Sequence, residues 1–117
     1  MKFLRRVLRA FTSHIPFKGR YRLADQLGAL IAGDLREVIE MNGVHVELDH
    51  RILLHRMMYY GLYEENVVNY LKRTIRPGDV VFDPGANVGY FAAVCVGLVG
   101  DTGHVHSFEP SNTWSAE

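Results

Sequence analysis

Two carboxylates and two glycines stand where a backbone loop and two strand ends could hold a small polar ligand. Asp83-Pro84-Gly85-Ala86-Asn87-Val88-Gly89 carries an acid followed by two glycines four residues apart, and Glu109 comes later in the chain. Glycine and asparagine tolerate positive φ, and glycine lets a backbone approach a ligand closely. A carboxylate accepts hydrogen bonds from hydroxyl or ammonium groups. The spacing argues against two phosphate sites. With Gly85 as the first glycine, a dinucleotide fingerprint needs glycines at the places held by Asn87 and Tyr90. No Gly-Lys-Ser/Thr follows, which removes a P-loop as well. The pattern acid-x-Gly-x-x-x-Gly with a later acid suits a cofactor without pyrophosphate, S-adenosylmethionine. The loop then passes close under the adenosyl-methionine moiety, and the later acid accepts both ribose hydroxyl protons.

The elements that must position these groups are readable from turn residues and apolar runs. Pro77-Gly78 is a turn, and Val80-Val81-Phe82 is a short β-branched and aromatic run of the kind that forms a strand buried on both faces. Tyr90 to Val99 is almost wholly apolar or small, as in a helix packed on a sheet, and Gly100-Asp101-Thr102-Gly103 stops it. His104 to Phe108 is the second strand, ending at Glu109. In such a βαβ unit ligands sit outside the carboxyl ends of the strands, where both acids fall.

Tyr63-Glu64, Arg76-Pro77-Gly78-Asp79, Asp83-x-Gly85-Ala86-Asn87-x-Gly89-Tyr90-Phe91 and Phe108-Glu109-Pro110 resemble, in order and spacing, the N-terminal half of FkbM-type S-adenosylmethionine-dependent methyltransferases. The resemblance covers roughly Val44 to Ser111. Pro84 departs from it, standing where such enzymes usually carry a small apolar residue, a change tolerable at a strand end. The resemblance implies an α/β, Rossmann-like methyltransferase fold, of which the N-terminal helices, a hairpin and the first βαβ unit are present. It also implies methyl transfer to a hydroxyl of a sugar or secondary metabolite, hence a small-molecule or glycan acceptor. Gly85, Ala86, Asn87 and Gly89 would form the loop beside the methionine part. Asp83 would anchor that loop and face the methionine amino group, and Glu109 would take the ribose. No catalytic base or acceptor-binding residue can be named. In the fold resembled, strand one has a later strand on its far side, so the expectation is the N-terminal part of a longer enzyme, inactive alone. A non-catalytic interaction or membrane-associated module is the alternative.

The remaining sequence divides into a helical segment over 1–33, a hairpin and lead-in helix over 34–76, and the βαβ unit over 77–117. The 13 basic and 13 acidic residues balance, yet Lys2, Arg5, Arg6, Arg9, Lys18, Arg20 and Arg22 all precede the first acid, Asp25. Met1 to Ser13 reads as a basic amphipathic helix, with Phe3, Leu4, Val7, Leu8 and Phe11 on one stripe. Its stripe either docks on the protein's own core or lies on an anionic membrane. Arginines interrupt the early apolar run, which argues against a secretory signal, and no stretch approaches the roughly 20 apolar residues of a membrane span. Tyr21 to Ala32 predicts a second helix with Leu23, Leu27, Leu30 and Ile31 on one face. Arg36–Met41 and Val44–Asp49 flank Asn42-Gly43, a strong hairpin signal, although 34–37 could instead begin a helix. Arg51 to Tyr60 is ambiguous between helix and extended chain, and Glu64 to Thr74 reads as a helix with Val67, Val68, Leu71 and Ile75 aligned.

His45, His50 and His55 fall at polar phases and read as surface residues. His104 and His106 share a strand face without a third ligand nearby, so no metal is expected. The single cysteine, Cys95, fits a reducing, cytoplasmic compartment. The basic N-terminus lacks interleaved aromatic platforms, so no nucleic-acid partner is expected.

Overall fold

A computed structural model describes residues 2–32 and 36–110. Among them the chain forms α1 (Lys2–His14), α2 (Arg20–Leu30), β1 (Arg36–Met41), β2 (Val44–Asp49), α3 (Leu53–Tyr59), α4 (Glu65–Thr74), β3 (Val80–Pro84), α5 (Tyr90–Val99) and β4 (His104–Phe108). The result is a mixed α/β protein with two separate two-stranded sheets, β1–β2 and β3–β4. The alternative helix start is answered at Arg36 and Glu37, which lie in β1; Asp34 and Leu35 lie outside the described residues. Arg51 to Tyr60 resolves as the short helix α3. No helix among the described residues is long and apolar enough to cross a membrane.

The chain folds as two units. One takes the residues up to Glu37 together with Glu47–Glu65, and the other takes Val38–Val46 together with the residues from Asn66 onward.

In the first unit the core is built on Leu48, Met57, Met58, Tyr59, Tyr60 and Leu62, all buried. The face that α1 turns to this core is Arg5, Leu8 and Thr12 rather than its apolar stripe. Arg5 is 0% exposed; its guanidinium donates to the Ala32 carbonyl and, at 3.1 Å, to Glu37 Oε2. Thr12 donates to the Tyr60 carbonyl at 3.0 Å. A buried guanidinium without acceptors is prohibitively costly, so these bonds fix the rotation of α1 about its axis. The expectation that the stripe docks on the core is therefore corrected: of its residues only Leu8 is buried, while Phe3 is 75% exposed and Leu4, Val7 and Phe11 are exposed too. The second helix shows the same inversion, burying small Ala24 and Gly28 and leaving Leu27 and Leu30 exposed. Gly28 is needed for the close approach, since a Cβ there would lie 2.7 Å from Tyr60 Cε2.

His50 and His55 are buried, against the surface positions expected for them; His45 is exposed. His50 Nε2 donates to Glu37 Oε2 at 3.1 Å, and its ring meets Tyr59 edge-on. His55 Nδ1 accepts the Asp49 N–H at 3.0 Å. Polar phase misled because each ring enters the core with a hydrogen-bond partner for one ring nitrogen. Burial pushes both imidazole pKa values down, so the fold holds them neutral. Protonating His50 would also place a proton on Nδ1, a buried atom with no hydrogen-bond partner. The sign follows: the unfolded chain takes up protons first, so this stability is complete above the unfolded value near 6.5 and is lost as pH falls below it. The thermal unfolding midpoint should fall between about pH 7 and pH 5, and His50→Gln, which keeps a donor for Glu37, should flatten part of that fall. A wild-type midpoint that does not move over this range would contradict the assignment.

In the second unit the tip of the hairpin turns through Asn42 and Gly43 at φ of 52° and 82°, the paired positive values of a two-residue hairpin loop. Asn42 Nδ2 donates to the Ala93 carbonyl of α5 at 2.9 Å. Strands β3 and β4 are parallel, with Val80 opposite His104, Phe82 opposite His106 and Pro84 opposite Phe108. Helix α5 joins them and packs on the sheet, burying Tyr90, Ala92, Ala93, Cys95 and Val99. The Gly78 N–H donates to the Val99 carbonyl and the His104 N–H to the Asp79 carbonyl, which ties the start of both strands to the end of α5. The expectation of a strand buried on both faces is corrected. Val80, Phe82 and Phe108 are exposed, because α5 covers only the face that carries Val81 and Asp83.

Candidate functional site

The carboxyl ends of β3 and β4 bring the loop and the later acid together. Asp83 is paired in register with Ser107, one step before the strands end, so the loop from Gly85 and the residue after Phe108 emerge side by side. The Gly85 and Ala86 N–H groups both donate to the Phe108 carbonyl, at 2.6 and 3.0 Å. The Asn87 N–H donates to Glu109 Oε2 at 2.6 Å. Gly89 closes the turn onto the Ala86 carbonyl at 2.9 Å and then caps α5.

The chain achieves this course through backbone conformations that its residue types permit. Gly85 and Gly89 have φ of 73° and 90°, and Asn87 has φ of 54°. A Cβ built at Gly85 or Gly89 meets no atom within 4 Å. These glycines therefore serve the left-handed conformation, and among the described residues nothing crowds either position.

Asp83 and Glu109 occupy contrasting environments. The Asp83 carboxyl lies on the α5 side of the sheet, where its Oδ2 is buried with no hydrogen-bond partner among the described residues. Burial raises its pKa above the ordinary carboxylate value. It is close enough to Cys95 that its charge adds to burial in pushing the thiol up. Such an orphaned oxygen is a ready acceptor for an ammonium or hydroxyl group. Glu109 is part-buried at the rim, aimed by its bond to the Asn87 amide.

Asp83, Gly85, Ala86, Asn87, Gly89 and Glu109 thus sit on one sheet end. Among the described residues the loop amides are held by the Phe108 carbonyl and the Glu109 carboxylate, groups that stand beside Asp83 at the same sheet end. The Phe108 carbonyl escaped sequence reading because a backbone acceptor carries no residue signature, although parallel pairing of two short strands places a carbonyl there. His104 and His106 lie on the opposite, exposed face, their ring centroids 6.4 Å apart and His106 stacked on Phe82 at 5.0 Å. Among the described residues no cluster of three or more His, Cys, Asp or Glu could hold a metal ion.

Comparison of the chain with protein-family models, with curated proteins and with solved structures finds no match in any of the three.

Proposed function

We propose that the Asp83–Gly89 loop and Glu109 form the donor-binding part of a Rossmann-like, FkbM-type S-adenosylmethionine-dependent methyltransferase that acts on a hydroxyl of a sugar or secondary metabolite. The observation that carries this reading is the juxtaposition at the carboxyl ends of two parallel strands. A glycine loop in left-handed conformation lies beside an acid aimed by the loop's own amide.

The residues fit such a donor. S-adenosylmethionine supplies an electrophilic methyl group on a sulfonium sulfur. Glu109 offers a carboxylate at the second strand end, the place where adjacent ribose hydroxyls can donate to both oxygens. The buried Asp83 Oδ2 lacks a partner, and the amino group of the methionine part would provide one, directly or through water. Gly85 and Gly89 let the ligand lie against bare backbone. Catalysis by such a site would come from holding the donor so that an acceptor oxygen meets the methyl carbon in line.

Calorimetric titration with S-adenosylhomocysteine, the demethylated product, tests the reading. Saturable binding is expected, weakened by about 1–3 kcal/mol in Glu109→Ala, the scale of losing hydrogen bonds to a charged group. Glu109→Gln can still accept from the Asn87 amide and should fall between the two, which separates holding the loop from holding the ligand. Binding that is absent, or unchanged in Glu109→Ala, would remove this role.

A further inference from the structure

Glu37 ties α1 to its unit through a single oxygen. Its Oε2 accepts from the Arg5 guanidinium of α1 and from His50 Nε2, each at 3.1 Å. The Arg5 and His50 side chains are fully buried, whereas that of Glu37 is 18% exposed, so solvent meets the junction at the carboxylate.

His50 is the titratable member of this junction. Arg5 of α1 and Glu37 of β1 meet it at the shared oxygen. From α3, Arg56 donates to the His50 carbonyl at 2.7 Å, and Tyr59 meets the ring edge-on. The charges of Arg5, Arg56 and a protonated His55 oppose a proton on His50, and that of Glu37 favours it. Arg56 is paired in turn with Asp25 of α2. Among the described residues His50 Nδ1 is buried without a partner, so a proton there adds a buried cation whose N–H has no acceptor. One rearrangement relieves this: Arg5 leaves Glu37 for water, and the imidazolium takes the carboxylate as its counter-ion.

Helix α1 is the element able to leave. It buries one apolar side chain, Leu8, beside Arg5 and Thr12, while Leu48, Met57, Met58 and Tyr59 of the core belong to β2 and α3. An element held mainly by polar bonds opens at a lower free energy than the core it rests on.

We infer that His50 is a proton switch for α1: on acidification its imidazolium replaces Arg5 as the partner of Glu37, and α1 detaches while β2 and α3 stay folded. The proton comes from solvent and no covalent bond changes. The docked helix goes with neutral His50 and the released helix with the charged ring, so acid shifts the population toward release. Release sets in as pH falls below the ordinary imidazole value of about 6.5. The inference is independent of the proposed donor site.

Amide hydrogen exchange of the full chain at about pH 7 and pH 5, corrected for the intrinsic effect of pH, tests it. Protection of α1 should fall by about tenfold, the scale for one proton taken up across that range, while α3 keeps its protection. His50→Gln, which keeps a donor for Glu37 and takes up no proton, should remove the fall. Arg5→Met should leave α1 weakly protected at both pH values. In the wild type the His50 ring resonances should titrate together with the loss of α1 protection, a comparison that stands even where His50→Gln does not fold. The inference is overturned if α1 protection does not change, if α3 loses protection to the same degree, if the fall persists in His50→Gln, or if the His50 ring does not titrate with it.

Discussion

Replacing Arg5 by methionine should destabilise the protein by about 3 kcal/mol, the lower end of the cost of breaking a buried ion pair, because Arg5 is fully buried while its partner Glu37 is part-buried and keeps His50. Arg5 is the largest fully buried side chain among the described residues, and two groups depend on it. The Ala32 carbonyl loses its donor, Glu37 keeps only His50, and the cation that fixes the rotation of α1 is gone. Arg5→Lys should recover only part of the loss, because a single ammonium cannot reproduce the guanidinium fork. Arg5→Met combined with Glu37→Met should be less destabilising than the sum of the single changes, since the part-buried carboxylate is then not left without its cation. Urea unfolding of these variants and of Glu37→Met alone measures these differences. A loss under about 1 kcal/mol for Arg5→Met would show that the helix is held by other contacts.

The second large effect is expected at Gly103, where β4 begins. A Cβ there would lie 2.6 Å from the Asp79 carbonyl oxygen and 2.7 Å from the Val99 carbonyl oxygen, and would also strike the Val99 side chain. Both oxygens are backbone atoms already committed, Asp79 to the His104 N–H and Val99 to the Gly78 N–H. Neither can move without opening the end of the parallel pair. Gly103→Ala should therefore cost about 3 kcal/mol, at the upper end of overpacking effects. Gly97→Ala makes the contrast. Its Cβ would meet the Asn42 side-chain amide, which can swing away at the loss of one hydrogen bond, so about 1 kcal/mol is expected. Equal losses for the two variants would show that the unit yields more easily than these distances imply.

These effects also mark where reading the sequence succeeds and where it stops. The span of α5 and the course of β3 and β4 follow from local punctuation: Pro77-Gly78, the Gly85 to Gly89 loop and Gly100 to Gly103 bracket runs too apolar to be loops. The site residues fall together because parallel pairing of two neighbouring strands puts their ends side by side. Asn42-Gly43 likewise carries its own geometry.

Orientation about a helix axis is another matter. The apolar stripe of α1 is plain in the sequence, yet nothing local says that Arg5 will find the Ala32 carbonyl and Glu37, which are distant in the chain. The same long-range pairing draws His50 inward. Side-chain pattern gives a preferred inside face; a few buried polar bonds, each costly to leave unmade, override it. The exposed Val80 and Phe82 teach a related point. A run of apolar residues specifies a strand, but what covers each face depends on elements that the run does not encode.

The loop at the carboxyl ends of β3 and β4 is proposed to hold an adenosyl-amino-acid ligand. The most direct measurement is a titration of the isotope-labelled chain with S-adenosylhomocysteine, followed through its amide resonances. The account predicts saturable shifts concentrated at Gly85, Ala86, Asn87, Gly89 and Glu109, with no comparable response to ATP, for which the loop lacks a phosphate cradle. Shifts confined to other residues, or none at millimolar ligand in a folded sample, would contradict it.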